Sequence, residues 1–259
     1  MSGDVTLEIL GTVGWVNLSH PGKLNAMSRT MWRALRAVFQ QIQLDGTIAC
    51  VVVPGEGHFC AGGDISEYAG FRFEESSLRD FHENDVWGGL QAMLDCDVPI
   101  VAQIAGNCMG AGVEIASCCD IRMATDTARF GAPIAKLGFP MAPREAALVM
   151  RAVGELTARE MLLSAAVLEA HEMLQRGFLN RVVAASALEA AVLLCADRIG
   201  QLAPEAARMN KQTFRALAPV SIAQAATDLI ANAYRYASSA EHREGVTAFM
   251  EKRPPRFAP

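Results

Sequence analysis

The chain has 259 residues, of which 51% are hydrophobic and 20% are charged, and its formal net charge is −5. This length and composition are typical of one large domain with a sizeable core, or of one domain with a helical appendage. The acidic balance argues against nucleic-acid binding. The chain contains no apolar run of about eighteen residues and no secretion-signal pattern at its N-terminus, so we expect no membrane span and a cytoplasmic location.

The cysteine pattern indicates free thiols rather than disulfides or a metal site. The seven cysteines are Cys50, Cys60, Cys96, Cys108, Cys118, Cys119 and Cys195. Their odd number, the absence of a C-x-x-C pair and their position in apolar runs are typical of a reducing compartment. Cys60 lies beside a glycine turn, but with no local histidine to activate it we interpret it as a packing residue. No cluster has metal-ligand spacing, so no metal is expected.

Up to residue 124 the hydrophobic pattern alternates strands with helices. The predicted strands are Val5–Ile9 and Val13–Leu18, which form a hairpin, then Cys50–Val53, a strand beginning at Ile100, and Ile121–Ala124. The predicted helices run from an N-cap at Ser28 to about Leu44, over Glu74–Leu94, and from a glycine turn to about Ser117. This order is a repeated strand–strand–helix unit.

Beyond Pro140 the pattern becomes mostly helical. The predicted helices are Arg144–Val153, Glu155–Leu163, Glu169–Arg176, Leu188–Leu202 and Ile222–Tyr236, with one more strand at Phe178–Val183. The helices after Ser186 are rich in alanine and have broad apolar faces, which suit contacts between subunits.

Two glycine turns, each preceded by an apolar run, are the strongest functional signal. The first lies in the segment CVVVPGEGHFCAGGDISEY, and the second in PIVAQIAGNCMGAGVEIASCCDIRMA. Each predicts a buried strand that enters a turn where small residues let the backbone approach a ligand. Two such turns can hold one oxygen atom with their free amides, as an enzyme does when it stabilises an oxyanion. Glu114 lies on the apolar helix after the second turn, where burying a carboxylate costs free energy unless it has a partner or a catalytic role. We therefore interpret Glu114 as a catalytic residue.

These turns resemble the oxyanion loops of the crotonase (enoyl-CoA hydratase/isomerase) superfamily. The resemblance extends over HPGKLNAMS (20–28), FCAGGDI, the Gly-Ala-Gly-Val-Glu turn, RFGAP (129–133) and EHREGVTAFMEKR (241–253). It implies an α/β fold, a spiral of repeated ββα units with a C-terminal helical trimerisation region. We assign residues 1–190 to the spiral core and 191–259 to oligomerisation, giving a homotrimer or a dimer of trimers.

The resemblance also implies site residues. The amides of Gly63 and Ala111 match the two oxyanion-hole donors, although the family usually has glycine at the second position. Glu114 matches the first of two catalytic glutamates. The expected contacts to the CoA part of the substrate are Lys23, Ala61, Asp64, Ile65, Phe249 and Lys252. The implied activity is that of an enoyl-CoA hydratase, with no cofactor beyond the CoA that the substrate carries.

One departure from the family pattern bears on the reaction. The second catalytic glutamate is replaced by Ile134, which cannot transfer a proton. Glu145 and His58 are the candidates to compensate, but we expect both to be surface charges. A double-bond isomerase that uses one carboxylate, and a non-catalytic acyl-CoA binding protein, are therefore alternatives.

The acyl pocket is expected between the segment Glu67–Val86 and the loop after Gly138. The three aromatic residues Phe71, Phe73 and Trp87 could narrow this pocket, but for such residues core packing is the more common role.

Overall fold

The computed structural model describes residues 2–55, 57–217 and 232–257. Its strands are β1 Asp4–Leu10, β2 Val13–Ser19, β3 Cys50–Pro54, β4 Ile100–Ile104, β5 Asn107–Met109, β6 Ile121–Thr125, β7 Arg129–Gly131, β8 Val167–Glu169 and β9 Arg181–Val183. Its α-helices are α1 Arg29–Leu44, α2 Glu75–Asp80, α3 Trp87–Asp95, α4 Ala111–Cys118, α5 Pro143–Val153, α6 Glu155–Leu163, α7 Ala170–Gln175, α8 Leu188–Gly200, α9 Pro204–Leu217 and α10 Ala240–Met250.

A six-stranded sheet in the order β1-β2-β3-β4-β6-β9 forms the centre of the fold. The hairpin of β1 and β2 is antiparallel, as predicted, and every later pair in this sheet is parallel. The side chains of β3 alternate between its two faces. Val51 and Val53 belong to the main core, while Cys50 and Val52 pack against α8 on the other face. The sheet is therefore covered on both sides, which is why β3 is apolar throughout.

A second, three-stranded sheet in the order β5-β7-β8 lies beside the first. Successive units of the chain thus supply strands to both sheets in turn, in agreement with the predicted spiral. The sequence did not indicate β7 and β8 as separate strands, because a three-residue strand is too short to show an alternating pattern. The predicted strand from Phe178 is shorter than expected. Phe178 and Leu179 are buried but do not pair, and β9 begins at Arg181.

The segment predicted as one helix from Glu74 to Leu94 is helical but not uniform. Between α2 and α3 the residues Phe81–Val86 form a π-helical turn. A π-turn adds a residue to the helical repeat and rotates the side chains that follow it, and such turns are frequent at functional sites. Here Phe81, His82 and Val86 line a cavity.

The C-terminal region begins with α8, which crosses the proposed boundary at residue 190 and packs on the sheet. Most of the predicted helix Ile222–Tyr236 lies outside the described residues, and its described end, from residue 232, is turn and 3-10 helix. Oligomerisation through this region stays a prediction. Within the three described ranges, no helix is both long and apolar enough to cross a membrane.

Candidate active site

Two turns meet at one end of the fold. After β3 the chain passes through Cys60, which pairs in parallel with Cys108 of β5. This pairing brings the turn at Gly62 against the turn at Gly110, where an added Cβ on Gly110 would lie 3.6 Å from the Gly62 Cα. Gly62 has φ 115° and Gly110 has φ 48°, conformations that side chains disfavour. Glycine is therefore required at the positions just before the two proposed amides.

The N–H groups of Gly63 and Ala111 have no hydrogen-bond acceptor among the described residues. Met27 pairs with Gly63 through the Gly62 carbonyl at 2.8 Å and the Asp64 N–H at 2.9 Å, so the N–H of Gly63 points away from Met27. Ala111 is the first residue of α4, where a helix leaves its N–H groups unpaired. Ala111 does not have a positive φ. An alanine therefore fits where the family usually has glycine, because Gly110 adopts the strained conformation.

Glu114 lies one turn along α4, on the wall of a cavity of about 590 Å³ that Gly63 and Ala111 also line. Burial raises the pKa of Glu114 to about 8, the Glu145 carboxylate adds to this shift, and the Arg72 guanidinium opposes it. A carboxyl group with this pKa can give or take a proton near neutral pH. Cys60 is buried beside the turn, and burial raises the pKa of its thiol to about 12, so it is not a thiolate nucleophile.

Tyr68 stands between the first turn and the deeper part of the cavity. It belongs to the 3-10 helix Ile65–Gly70, which Asp64 caps by accepting from the Ser66 N–H. The Tyr68 hydroxyl lies so close to Gly63 that a Cβ on Gly63 would collide with it. Burial raises the pKa of this hydroxyl, so it remains a neutral phenol. Tyr68 therefore fixes the wall next to the first amide.

The deeper part of the cavity contains a buried arginine and a buried histidine. Arg72 is 1% exposed, and its Cζ lies 4.2 Å from the Tyr68 ring centroid and 4.0 Å from that of Phe139. The Nδ1 atom of His82 lies 3.1 Å from Oε1 of Glu145. Burial lowers the pKa of His82, and the hydrogen bond to Glu145 opposes this shift. His82 is thus a neutral imidazole oriented by a carboxylate.

The residues expected to contact CoA divide into two groups. Five of them line the cavity, namely Lys23, Ala61, Asp64, Ile65 and Phe249. Lys23 is half-exposed and its Nζ is 2.6 Å from Asp64 Oδ2 and 2.7 Å from Ser66 Oγ. Lys252 is exposed and does not line the cavity.

The expectation of a surface charge was wrong for Glu145. This residue is 2% exposed because it lies in the first turn of α5, where its side chain contacts His82. His58 is half-buried and does not line the cavity, since its Nδ1 accepts from the Asn107 N–H at 3.0 Å. Ile134 lies on the cavity wall, in a 3-10 helix. The position of the missing glutamate is therefore apolar and faces the site.

The cavity is lined by parts of the two segments that the sequence indicated. Phe71, Phe73 and Trp87 pack against the hydrophobic clusters, which is the role that we gave as the more common one for such residues. Sequence reasoning missed Tyr68, Arg72, His82 and Tyr236. Three of these residues, Tyr68, Arg72 and His82, fall within the segment Glu67–Val86, which the sequence did indicate as a wall of the acyl pocket. The sequence could not single them out, because no local pattern distinguishes a buried arginine from a solvated one.

Known proteins resemble this chain over nearly its whole length. The sequence model of the enoyl-CoA hydratase/isomerase family matches residues 8–259. A probable enoyl-CoA hydratase of Mycobacterium bovis is 30% identical over 246 residues, covering 95% of this chain and 94% of the relative. A short-chain-enoyl-CoA hydratase of Clostridium acetobutylicum is 31% identical over 253 residues, covering 96% and 95%. The crystal structure of an enoyl-CoA hydratase/carnithine racemase from Magnetospirillum magneticum has a TM-score of 0.81 at 33% identity, covering 98% of this chain and 95% of that one.

Proposed function

The chain belongs to the enoyl-CoA hydratase/isomerase family, and we propose that it acts on an acyl-CoA thioester by stabilising an enolate, with enoyl-CoA hydration as its reaction. The observation that carries this proposal is the presence, on one cavity, of two amides without acceptors and a carboxyl group whose pKa is raised to about 8. The relatives named as enoyl-CoA hydratases support the same chemistry.

In this mechanism the thioester oxygen accepts hydrogen bonds from the N–H groups of Gly63 and Ala111. Negative charge that develops on this oxygen is then stabilised by donors that need no reorganisation. Hydration adds the hydroxyl of water to C3 and a proton to C2, and Glu114 is the group that transfers the proton. The reaction requires no cofactor beyond the CoA of the substrate.

In this chain His82 takes the role of the second proton-transfer group of a hydratase. Ile134 occupies the position of the missing glutamate, and Glu145 reaches the cavity only through His82. When Nδ1 of His82 donates to Oε1 of Glu145, the lone pair of the imidazole is on Nε2. Because burial keeps this imidazole neutral, Nε2 can accept a proton from the attacking water while Glu114 gives its proton to C2. A proton then passes from His82 to Glu114, directly or through solvent, and restores both groups for the next turnover.

Double-bond isomerisation is a second candidate, favoured by the apolar Ile134 on the cavity wall. An isomerase moves one proton between C2 and C4 of the acyl chain, and one carboxylate can do this through the same enolate. In that case Glu114 acts alone and His82 has only a structural part.

The test compares hydration of crotonyl-CoA, isomerisation of a 3-enoyl-CoA, and exchange of the C2 proton of butyryl-CoA in D2O. We expect Glu114→Gln to abolish all three, whereas Glu155→Gln, at an exposed carboxylate on α6, has no effect. His82→Gln should lower hydration by about 10²–10⁴-fold and spare C2 exchange. His171→Gln is the matched control, since His171 is exposed.

Two results would contradict the proposal. Activity that survives Glu114→Gln would remove the mechanism. Hydration that is unaffected by His82→Gln would leave Glu114 as the one acid/base among these residues.

A further inference from the structure

We infer that the acyl group of the substrate carries a carboxylate, which binds Arg72 inside the cavity. This inference rests on the proposed acyl-CoA function and names the class of substrate. Arg72 lines the same cavity as Glu114 and is 1% exposed. Its charge is therefore held away from bulk water, which requires a compensating anion or strong hydrogen bonds.

The described residues supply no anion to this guanidinium. Within the described ranges, no carboxylate oxygen lies within 4.0 Å of Arg72. The carboxylate of Glu145 is hydrogen-bonded to His82, and that of Asp64 to Lys23. Glu114 is mostly protonated at neutral pH because burial raises its pKa to about 8.

A neighbouring arginine shows which partners a structural guanidinium has in the same region. Arg29 also lies over aromatic rings, 5.0 Å from that of Phe71, but it pairs with Asp85 at 2.6 Å and with Asp80 at 2.8 Å. Arg72 has the aromatic contacts without the carboxylates. Stacking alone is therefore not the arrangement that satisfies the neighbouring Arg29.

The geometry leaves the edge of the Arg72 guanidinium for a ligand. Tyr68 and Phe139 lie over it at 4.2 and 4.0 Å, so further partners must approach in the plane of the group. Nη2 donates to the neutral Tyr236 hydroxyl at 3.3 Å, and Nε has no acceptor among the described residues. Nε and Nη2 form the side of the guanidinium at which a carboxylate accepts two parallel hydrogen bonds.

A second unsatisfied polar atom belongs to the wall of the same cavity. The described residues contain four buried side-chain nitrogen or oxygen atoms without a partner, and two of them, Arg72 Nε and His82 Nε2, belong to residues that line the cavity. Native proteins leave few such atoms unpaired, so this pair indicates polar ligand groups there. Arg72 Nε is a donor and needs an acceptor from the ligand, whereas His82 Nε2 is the acceptor assigned above to the attacking water.

The position of Arg72 identifies that group as part of the acyl chain rather than a phosphate of CoA. Arg72 stacks on Tyr68, whose hydroxyl abuts Gly63, so the guanidinium is one aromatic ring away from the proposed thioester site. Lys23 and Lys252, the cations expected to contact CoA, are instead exposed or half-exposed.

The test is calorimetric binding of freshly prepared saturated thioesters, which lack the double bond that hydration requires, in pairs of equal carbon number. The pairs are succinyl-CoA with butyryl-CoA, glutaryl-CoA with pentanoyl-CoA, and adipoyl-CoA with hexanoyl-CoA. For at least one pair we expect the carboxylate-bearing member to bind about 10–100-fold more tightly, as for a charged hydrogen-bonded pair. Arg72→Met should bring this ratio close to one, and Arg159→Met, at an exposed arginine on α6, should leave it unchanged.

The outcomes separate the inference from the function beneath it. If both members of every pair bind equally, or the neutral member binds better, the carboxylate inference is wrong and the acyl-CoA function stands. If the folded protein binds no thioester, both are wrong. Should Arg72→Met fail to fold, the affinity ratios of the unmodified protein still decide the question.

Discussion

Glu114→Gln should stabilise the folded protein, and the gain should depend on pH. Burial raises the pKa of Glu114 from 4.5 to about 8, with Glu145 adding to the shift and Arg72 opposing it. Below pH 4.5 the carboxyl is protonated in both the folded and unfolded chains. Between pH 4.5 and 8 the unfolded chain loses this proton while the folded chain keeps it, so the free energy of unfolding falls as pH rises.

The magnitude follows from the two pKa values. At about 1.4 kcal/mol for each pKa unit, the penalty above pH 8 reaches at most about 5 kcal/mol. Glutamine carries no charge and avoids the penalty. The free energy of unfolding of a typical domain is about 5–15 kcal/mol. Keeping this carboxyl group in the cavity would thus cost a large part of that stability.

Urea unfolding of the parent protein and the variant, at equal protein concentration, measures the effect. The difference in unfolding free energy should be small near pH 5 and should rise to its maximum near pH 9. Glu145→Gln gives an internal check, because removing its charge should lower the folded-state pKa of Glu114, so that the difference levels off at a lower pH and at a smaller maximum. A difference that is the same at both pH values would show that Glu114 has an ordinary pKa, and our assignment of it as acid/base would fail.

Three further predictions follow from the site and the surface. Ile134→Glu should raise the rate of crotonyl-CoA hydration by up to about 10²-fold, since the side chain at this position lines the cavity. If the variant binds thioester but hydrates crotonyl-CoA no faster than the parent, the placement of residue 134 at the reacting atoms is contradicted. Gly63→Ala should abolish activity by collision with the Tyr68 hydroxyl, and adding Tyr68→Phe should restore part of it, because the next atom, Cζ, is 3.3 Å away. Light scattering should give a trimer or hexamer, since α8 and α9 expose apolar side chains such as Phe214 at 72%; a monomer mass would contradict this.

The sequence predicted those parts of the fold whose signal is local. The strand β3, the helix capped by Ser28 and the two glycine turns each depend on residues within one short segment. Glu114 was identified for the same reason, because a carboxylate on an apolar helix stands out against its neighbours. Short strands such as β7 were missed, since three residues form a strand only when a partner strand is already in place.

The interior of the cavity could not be predicted because it is assembled from distant segments. The His82–Glu145 hydrogen bond joins residues 63 positions apart. The hydrophobic repeat of the sequence does not reveal the π-turn that contains His82. Arg72 stands next to Phe71 and Phe73 in the sequence, but it stacks on Tyr68 and on Phe139, and Phe139 approaches from a distant loop.

The charges around Glu114 give the proposed acyl carboxylate a second effect. Arg72 lowers the pKa of Glu114, whereas burial and Glu145 raise it. A carboxylate bound to Arg72 would neutralise the guanidinium, and the pKa of Glu114 in the complex should then rise further. A neutral acyl chain leaves Arg72 charged and gives no such rise. The basic limb of the kcat profile, which reports groups in the bound complex, should therefore lie at higher pH for an enoyl-CoA with a terminal carboxylate than for crotonyl-CoA. Coincident limbs for two substrates that both turn over would show that the carboxylate does not reach Arg72.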